Sequence, residues 1–534
     1  MTHGRLEIAG RQFRGHRHGL DALQRYERQK LQDVVDQYEP GGAGESRRVE
    51  CRSAAHRTTQ SQSRRRVRRN YCGAPGNWAR TTSLTSSMSN GSAGMTATVD
   101  TPRGWRQRVP GLRTGSSGSP DGVSTVSICY DSGMLERVVI VGASLGGLRA
   151  AESLRQAGHT GAITMIGAEP HLPYDRPPLS KKLLSGDWDG DRIQLRKPEG
   201  IEELNVDWRL GVAAVTLDLE ARSVALGDGT SVAFDAAILA TGSEPRRLPG
   251  QLDHPHVFEL RTLNDSLALR ERIAAGGQKM VVVGAGFIGL EAAATAKQLG
   301  NDVLVVEGAP APLIRALGAE QGAAVAAIHG DHGVEIRTGV TVDGLTEGGL
   351  VINGEFEPAD VVLIGIGVVP ATGWLDGSGL ELRDGVVCQP DLNAGAPLVY
   401  AAGDMVRWYN SLFDEEMRIE HWTNAAEQGA LAAQNLLAEA AGEPTTAYAP
   451  VPFFWSEQYD RRIQFLGRAS PGDDVQIIAG SVEERKYAAL FSRNGKLRGV
   501  LGVSMPKNVM PYRAKLLEGI SIEDALAMAA PPVV

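Results

Sequence analysis

Two glycine-rich turns in this chain have the residue types and the spacing that bind phosphate groups. The first, in VVIVGASLGG (138–147), places Gly142, Ser144 and Gly147 between an apolar strand and a helical stretch. The second, in MVVVGAGFIG (280–289), carries glycine at all three matching positions: Gly284, Gly286 and Gly289. Such a turn lets backbone N–H groups approach a pyrophosphate and directs the positive end of the next helix at that anion. Each turn therefore predicts a dinucleotide site.

An acidic residue follows each turn at the end of the next strand: Glu169 after the first and Glu307 after the second. A carboxylate at this position accepts hydrogen bonds from ribose hydroxyls. Glu307 would also repel a 2′-phosphate, and no arginine follows it before Arg315, so we predict NADH rather than NADPH. One such turn could be only a tight strand-to-helix connection, but two complete units of strand, turn, helix, strand and acid favour two nucleotide sites.

The elements that must position these residues are short apolar strands that alternate with helical stretches from Met134 onwards. This alternation is typical of parallel sheets covered by helices on both faces. We predict an α/β fold with two Rossmann-like, glutathione-reductase-like domains and a small α+β C-terminal domain. The predicted boundaries are 134–248 together with 385–449 for the first domain, 249–384 for the second and 450–534 for the third.

The first 133 residues differ from the rest in composition. They hold 20 Arg, one Lys and 11 acidic residues, a net charge of +10, so the remaining 401 residues carry −18. The segment is rich in Ser, Gly, Gln and Thr without sustained apolar periodicity, which predicts a disordered extension that the working protein can lack. A nucleic-acid-binding tail and a transit peptide are the alternatives, and the acidic residues within the segment argue against the second.

Other classes of function are excluded by what the chain lacks. No run of about eighteen apolar residues is present, so no membrane-spanning segment is expected. The four cysteines include no CxxC pair, which argues against both a zinc site and a dithiol redox centre, and no metal site is predicted. Cys388 is the only cysteine after residue 133, and we expect it to be a small buried apolar residue. A cytoplasmic protein is the expectation.

The loop PYDRPPLSK (173–181) is the most specific of several further motifs. Together with the two glycine turns, these motifs give residues 134–534 a resemblance to the FAD-dependent, NADH-linked ferredoxin and rubredoxin reductases, which serve ring-hydroxylating dioxygenases and haem monooxygenases. Five more follow in the order that the family has: ILATGSEPRRLP (238–249), VVLIGIGVVP (361–370), VYAAGDMVRW (399–408), RIEHWTNAAEQG (418–429) and VPFFWSEQYDRRIQFLG (451–467). The resemblance implies that the first domain binds FAD, that the second binds NADH, and that a third, reductase-type domain follows.

The resemblance also implies roles for single residues. Besides the first turn and Glu169, it assigns FAD contacts to Arg176, Lys181, Val212 (through its backbone, near the adenine), Thr241, Gly242, Arg246, Asp404 and Trp455. It assigns the NADH side to Gly284, Gly286, Ile288, Gly289, Glu291, Glu307, Gly365 and Ile366. Lys181 and Glu291 are implied as a charged pair near the flavin N5 and are the predicted catalytic residues. Three plainer alternatives stay open: Glu291 as a helix-start acid, Asp404 as an N-cap and Trp422 as a core residue.

The implied electron acceptor is a 2Fe–2S ferredoxin or a rubredoxin that feeds an oxygenase, with neither nucleic acid nor membrane as a partner. Because no thiol relay is present, electrons should leave the flavin directly.

Basic residues of the C-terminal region could form a docking patch or only a solvated face: Arg461, Arg462, Lys496, Arg498, Lys507, Arg513 and Lys515. The alternatives are an NADH-dependent reductase or oxidase acting on a small molecule or oxygen, and an interaction flavoprotein similar to apoptosis-inducing factor.

Overall fold

The computed structural model describes residues 135–251 and 254–529, together with the backbone of four short strands nearer the N-terminus. Those strands form two antiparallel pairs, Ser83–Ser89 with Ser92–Thr98 and Thr114–Gly118 with Ser124–Ile128. The sequence predicted no regular structure in this segment. Two strands that follow one another in the chain can pair through their backbones without a long apolar pattern in the sequence. For the rest of 1–133 the prediction of disorder falls on residues outside the described ranges.

The first large sheet has six strands. In spatial order they are Asn393–Ala396, Val399–Ala401, Ala236–Leu239, Arg137–Val141, Ala162–Gly167 and Val206–Leu210. All neighbours run parallel except Asn393–Ala396, which is antiparallel at the edge. Strand Arg137–Val141 is buried on both faces after Arg137, and its Val and Ile side chains suit a parallel sheet that is covered on both faces. Helices Leu145–Gln156 and Trp422–Ala440 pack against each other and against this sheet.

The second large sheet repeats this design with five parallel strands. Their order is Val257–Phe258, Val361–Ile364, Lys279–Val283, Asp302–Glu307 and Glu335–Thr338. Helix Phe287–Gln298 connects two neighbouring strands of this sheet, as Leu145–Gln156 does in the first sheet. The two strand–helix–strand units predicted from the glycine turns are therefore confirmed.

The third sheet is antiparallel and belongs to the C-terminal region. Its order is Phe453–Gln458, Arg461–Gly467, Lys496–Val503, Lys486–Arg493 and Asp474–Ser481, and helices Tyr512–Glu518 and Ile522–Ala529 follow it. The small α+β domain is thus confirmed. Its edge strand Phe453–Gln458 contacts helix Phe287–Gln298 of the second sheet and helix Trp422–Ala440 of the first. This contact brings residues of all three regions to one place.

Smaller elements complete the described chain. Three further sheets consist of Ala214–Asp218, Ser223–Leu226 and Ser231–Ala233; of Val342–Thr346, Gly349–Ile352 and Glu355–Pro358; and of Val386–Val387, Val406–Asn410 and Glu415–Arg418. Ser243–Pro245, where the chain enters the second region, pairs with Val368–Pro370, where the chain leaves it. The other helices are Pro177–Ser180, Lys182–Ser185, Pro198–Glu202, Leu263–Ile273, Ile314–Leu317, Ala319–Asp331, Gly373–Leu375 and Pro506–Asn508. The domain boundaries themselves stay predictions.

Candidate cofactor site

The first glycine turn is built so that only small residues fit. Gly142 has φ +120°, and a Cβ there would lie 2.0 Å from the carbonyl oxygen of Ala240. A Cβ on Gly147 would lie 2.0 Å from the carbonyl oxygen of Gly142. Ser144 precedes helix Leu145–Gln156 and makes no side-chain capping bond. The first N–H groups of the helix therefore lack a side-chain acceptor, which fits a bound pyrophosphate.

The second turn repeats this geometry. Gly284 has φ +106°, its Cβ would lie 2.4 Å from the Gly365 oxygen, and the backbone of Ile366 lies beside it. Gly286 precedes helix Phe287–Gln298 without a side-chain cap, and no heavy atom of the described residues lies within 4 Å of a Cβ placed there. Ile288, in the first turn of this helix, is 45% exposed. Open space and an uncovered apolar side chain at a helix start fit a bound dinucleotide.

A Cβ on Gly289 would lie 2.3 Å from the Gly284 oxygen, so the helix approaches the turn as closely as in the first copy. The predicted NADH-side residues Gly284, Gly286, Ile288, Gly289, Gly365 and Ile366 are thus brought together at one edge of the second sheet.

The carboxylate of Glu307 is fixed by backbone donors. Its Oε2 accepts a hydrogen bond from the N–H of Ala285 in the glycine turn, at 2.7 Å. Its Oε1 accepts from the N–H of Ala309, also at 2.7 Å. Hydrogen bonds from N–H groups to a charged acceptor are among the stronger ones, so the carboxylate cannot easily turn away from the nucleotide side.

Glu169 is held by side chains instead. Its Oε1 forms an ion pair with Arg176 at 2.7 Å, and its Oε2 accepts from the hydroxyl of Tyr174 at 2.5 Å. Burial raises the pKa of Tyr174, so this hydroxyl stays protonated and donates. Arg176 also donates to the carbonyl oxygen of Arg261 at 2.5 Å. Arg176 therefore orients the carboxylate of Glu169. A direct contact of Arg176 with a cofactor stays a prediction.

The predicted pair of Lys181 and Glu291 is present. Nζ of Lys181 lies 2.7 Å from Oε2 of Glu291, and the two side chains are 13% and 6% exposed. The hydroxyl of Ser180 donates to the same carboxylate oxygen at 2.5 Å, and that of Ser456 donates to Oε1 at 2.6 Å. Glu291 is the fifth residue of helix Phe287–Gln298, beyond the first turn, where the dipole effect has faded. The ion pair therefore explains this acid better than a helix-start role does.

Asp404 lies in a turn between strands Val399–Ala401 and Val406–Asn410, so it is not a helix N-cap. Its Oδ2 accepts from the hydroxyl of Ser243 at 2.8 Å and from Arg261 at 3.0 Å. Because both bonds use Oδ2, the second carboxylate oxygen remains for a hydroxyl of a ligand.

Thr241 and Gly242 stand beside the connection between the first and second sheets. The Thr241 hydroxyl donates to the carbonyl oxygen of Ala371 at 2.7 Å, and the Gly242 carbonyl accepts from the Ala371 N–H at 3.0 Å. Arg246 is exposed, and its backbone N–H donates to the carbonyl of Gly367. These bonds fix the exit of the chain from the first sheet.

Two tryptophans lie near the loop that carries Lys181. Trp455 is half-buried, and its ring meets that of Trp422 edge-on with centroids 6.1 Å apart. The indole N–H of Trp422 donates to Oδ1 of Asp175 at 2.7 Å, which ties Trp422 to the PYDRPPLSK loop. Burial raises the pKa of Asp175, an acid that the sequence reasoning did not single out although it lies within PYDRPPLSK.

Val212 differs from the expected arrangement. Its N–H donates to the carbonyl oxygen of Gly167 at 3.1 Å, so this N–H is not available to an adenine base. The residue lines a surface cavity together with Trp208, Gly211 and Asp228. A backbone contact with the adenine stays a prediction and would have to use the Val212 carbonyl.

Comparison with known proteins decides the family. The model of the pyridine nucleotide-disulphide oxidoreductases matches residues 136–429, and a reductase C-terminal model matches 453–532. The chain belongs to the pyridine nucleotide-disulphide oxidoreductase family. Within it the chain groups with the ferredoxin reductases, since it is 36% identical to rhodocoxin reductase of Rhodococcus erythropolis over 383 residues, covering 70% of this chain and 88% of that one.

Two further matches agree. The chain is 34% identical over 403 residues to the ferredoxin–NAD(+) reductase component of the anthranilate 1,2-dioxygenase system of Burkholderia cepacia, covering 74% of this chain and 97% of that one. A crystal structure of a covalent putidaredoxin reductase–putidaredoxin complex matches with a TM-score of 0.69 and 29% identity, covering 74% of this chain and 98% of the matched one. The predicted resemblance, fold and enzyme class are confirmed.

The disulphide in the family name has no counterpart among residues 135–251 and 254–529. Cys388, the only cysteine after residue 133, is buried in the core of the first sheet, and its thiol donates to the carbonyl of Val386 at 3.6 Å. Burial raises the pKa of this thiol, which disfavours the reactive thiolate. The expectation of a buried apolar residue is confirmed.

Replacing Cys388 with alanine should therefore leave electron transfer unchanged. Loss of the buried sulfur should lower the free energy of unfolding by about 1 kcal/mol. The check is flavin reduction by NADH, with thermal unfolding as the second readout. A large loss of electron transfer in a variant that still folds would show that the thiol takes part.

The basic residues proposed for partner docking are largely paired within the chain. Five of the seven have a carboxylate partner: Arg461 with Asp460, Arg462 with Glu457, Arg498 with Glu415, Arg513 with Glu427 and Lys515 with Glu518. The structure therefore favours the solvated-face interpretation over a concentrated positive patch. Among residues 135–251 and 254–529, no cluster of side chains suits a metal ion, and no helix is long and apolar enough to cross a membrane.

Proposed function

We propose that this reductase takes electrons from NADH through FAD and passes them to a 2Fe–2S ferredoxin or a rubredoxin that feeds an oxygenase. The observation that carries the proposal is the Lys181–Glu291 pair, which joins the loop of the first nucleotide-binding region to the helix behind the second glycine turn. The names of the relatives support it, since one is the reductase component of a dioxygenase system. A cytoplasmic location is part of the same proposal.

Each nucleotide has residues of suitable chemistry. We assign FAD to the first glycine turn, with the helix start after Ser144 for its pyrophosphate, Glu169 for the ribose and Asp404 for the ribitol hydroxyls. We assign NADH to the second turn, with Glu307 for its ribose. When bound, FAD accepts a hydride from NADH and gives up electrons singly, and the chemistry belongs to the cofactors while the protein supplies placement and charge.

The role of Lys181 in this proposal is electrostatic. Its ammonium group is held on one side by Glu291, and that carboxylate is itself held by Ser180 and Ser456. A cation fixed in this way needs no reorganisation when negative charge develops beside it, which is the most effective form of electrostatic stabilisation. Trp455 and Trp422 add apolar surface near the loop that carries Lys181, since their rings meet and Trp422 bonds Asp175 of that loop.

The assignment of Asp404 predicts that Asp404→Ala releases FAD more readily. A hydrogen bond to a charged group is worth about 1.5–3 kcal/mol, so FAD affinity should fall at least tenfold. The measurement is titration of the FAD-free protein with FAD. Ser243→Ala is the matched control, because it removes one bond to Oδ2 and leaves the carboxylate in place. Equal affinities of the Asp404 variant and the wild type would remove Asp404 from the FAD site.

The proposal as a whole is tested by adding NADH to the FAD-loaded protein without oxygen and then adding an oxidised 2Fe–2S ferredoxin. Bleaching of the flavin followed by its return, with reduction of the ferredoxin, is the expected sequence. A flavin that NADH bleaches but that reduces neither ferredoxin nor rubredoxin would favour the reductase or oxidase of small molecules instead.

A further inference from the structure

The carboxylate of Glu291 is one end of a buried row of polar side chains. Oε1 of Glu291 lies 2.6 Å from the hydroxyl of Ser456, which lies 3.2 Å from Nε2 of Gln458. Oε1 of Gln458 lies 3.0 Å from Nε2 of His329, and Nδ1 of His329 lies 3.3 Å from the hydroxyl of Tyr459. Ser456, Gln458 and His329 are fully buried.

The row passes between two regions of the molecule three times, at Glu291–Ser456, at Gln458–His329 and at His329–Tyr459. Glu291 and His329 belong to helices Phe287–Gln298 and Ala319–Asp331 of the second nucleotide-binding region. Ser456 and Gln458 lie two positions apart on the C-terminal strand Phe453–Gln458, so their side chains share one face of the sheet. The alternation of side chains along this strand thus places Ser456 beside helix Phe287–Gln298 and Gln458 beside helix Ala319–Asp331.

The direction of every hydrogen bond in the row follows from the carboxylate. Glu291 only accepts, so the single hydroxyl proton of Ser456 points at it. The Ser456 oxygen must then accept from the amide NH₂ of Gln458, which leaves the amide oxygen of Gln458 to accept from Nε2–H of His329. Nδ1 of His329 is left as the acceptor for the Tyr459 hydroxyl.

All donors in the row therefore point toward Glu291, and aligned hydrogen bonds of this kind strengthen one another. Burial lowers the pKa of His329 to about 4, so the ring stays neutral with one proton, which this arrangement requires. Replacing both partners of a buried polar contact by apolar groups of similar shape is often neutral or stabilising, so stability of the contact between the two regions does not by itself explain the row.

We propose that Gln458 and His329 are positioning residues of this reductase, which act through Ser456 to hold the carboxylate of Glu291 in the orientation that binds Lys181. The inference rests on the proposed role of the Lys181–Glu291 pair in flavin reduction. It extends the set of residues that shape the reaction to a histidine that touches neither Lys181 nor Glu291.

The kinetic test compares variants of the FAD-loaded protein in anaerobic stopped flow. Gln458→Met and His329→Leu should each slow flavin reduction at saturating NADH about tenfold, with little change in the NADH concentration for half saturation. His329→Gln should recover most of the rate, because its amide can donate to Gln458 in place of Nε2–H.

The matched control is Asp331→Asn. Asp331 forms an ion pair with Arg485 at 2.8 Å, which joins helix Ala319–Asp331 to the C-terminal region without touching the row. This variant should reduce flavin at close to the wild-type rate. If Asp331→Asn reduces flavin as slowly as His329→Leu does, the effect comes from a loosened contact between the two regions, and the proposal is wrong.

A second readout does not depend on activity. In protein labelled with ¹⁵N-histidine, the nitrogen resonances of His329 should show a neutral ring with its proton on Nε2, and Gln458→Met should shift them. A proton on Nδ1, or resonances that Gln458→Met leaves unchanged, would overturn the proposal.

The role of the ion pair and the polarity of the row can be tested separately. If Lys181→Ala reduces flavin at the wild-type rate, the proposed role of the ion pair fails. The nitrogen resonances would still report whether the row is polarised as inferred.

Discussion

Replacing Lys181 with alanine should slow the reduction of bound FAD by NADH about 100-fold, the size seen when one preorganised electrostatic group is removed. The change removes the only cation that contacts Glu291 among the described residues and leaves that carboxylate with two serine hydroxyls. FAD should be retained, because the first glycine turn, Glu169 and Asp404 are untouched. Anaerobic stopped-flow absorbance measures the reduction rate, and the flavin content of the purified protein measures retention.

Lys182→Ala is the matched control for this prediction. Lys182 is the next residue in the chain, is exposed, and pairs with Asp187 at the surface. A surface ion pair of this kind contributes little, so reduction should proceed at the wild-type rate. Flavin reduction at wild-type speed in Lys181→Ala would exclude the electrostatic role of that residue.

The second large effect is the choice between NADH and NADPH. The Glu307 carboxylate is tied to the N–H groups of Ala285 and Ala309, so moving away from a 2′-phosphate would break two hydrogen bonds. Two like charges about 4 Å apart near a surface repel by roughly 4 kcal/mol before screening, so a preference for NADH of about 100-fold in kcat/KM is expected.

Glu307→Ala should lower this preference to about tenfold or less, since the repulsion disappears and two N–H groups become free to bind a phosphate. The measurement is kcat/KM for both nucleotides with one artificial electron acceptor. Glu335→Ala, on the neighbouring strand, is the control, because Glu335 is exposed and paired with Arg337. Wild-type protein that uses the two nucleotides equally well would contradict the assignment of Glu307.

Features that depend on a few adjacent residues could be predicted from the sequence. The glycine turns are local, because strand, turn and helix follow one another in the chain, and the structure reproduces both with nearly the same φ at Gly142 and Gly284. Resemblance to a family supplied the pairing of Lys181 with Glu291, although 110 residues separate them in the chain.

Features that depend on how the regions dock could not be predicted. Ser456 lies 165 positions from Glu291, and Arg261 lies 143 positions from Asp404, so nothing local marks either pair. The choice between a basic docking patch and a solvated face also could not be made from the sequence. A count of positive residues takes no account of the carboxylates that the fold places beside them, such as Glu415 beside Arg498.

The most direct test of the central claim is anaerobic reduction of the purified protein by NADH, followed by addition of an oxidised 2Fe–2S ferredoxin. The account predicts that NADH bleaches the flavin rapidly, that NADPH does so far more slowly, and that ferredoxin restores the flavin colour as it becomes reduced. A protein that binds no flavin, or whose flavin NADH does not reduce, would contradict the account.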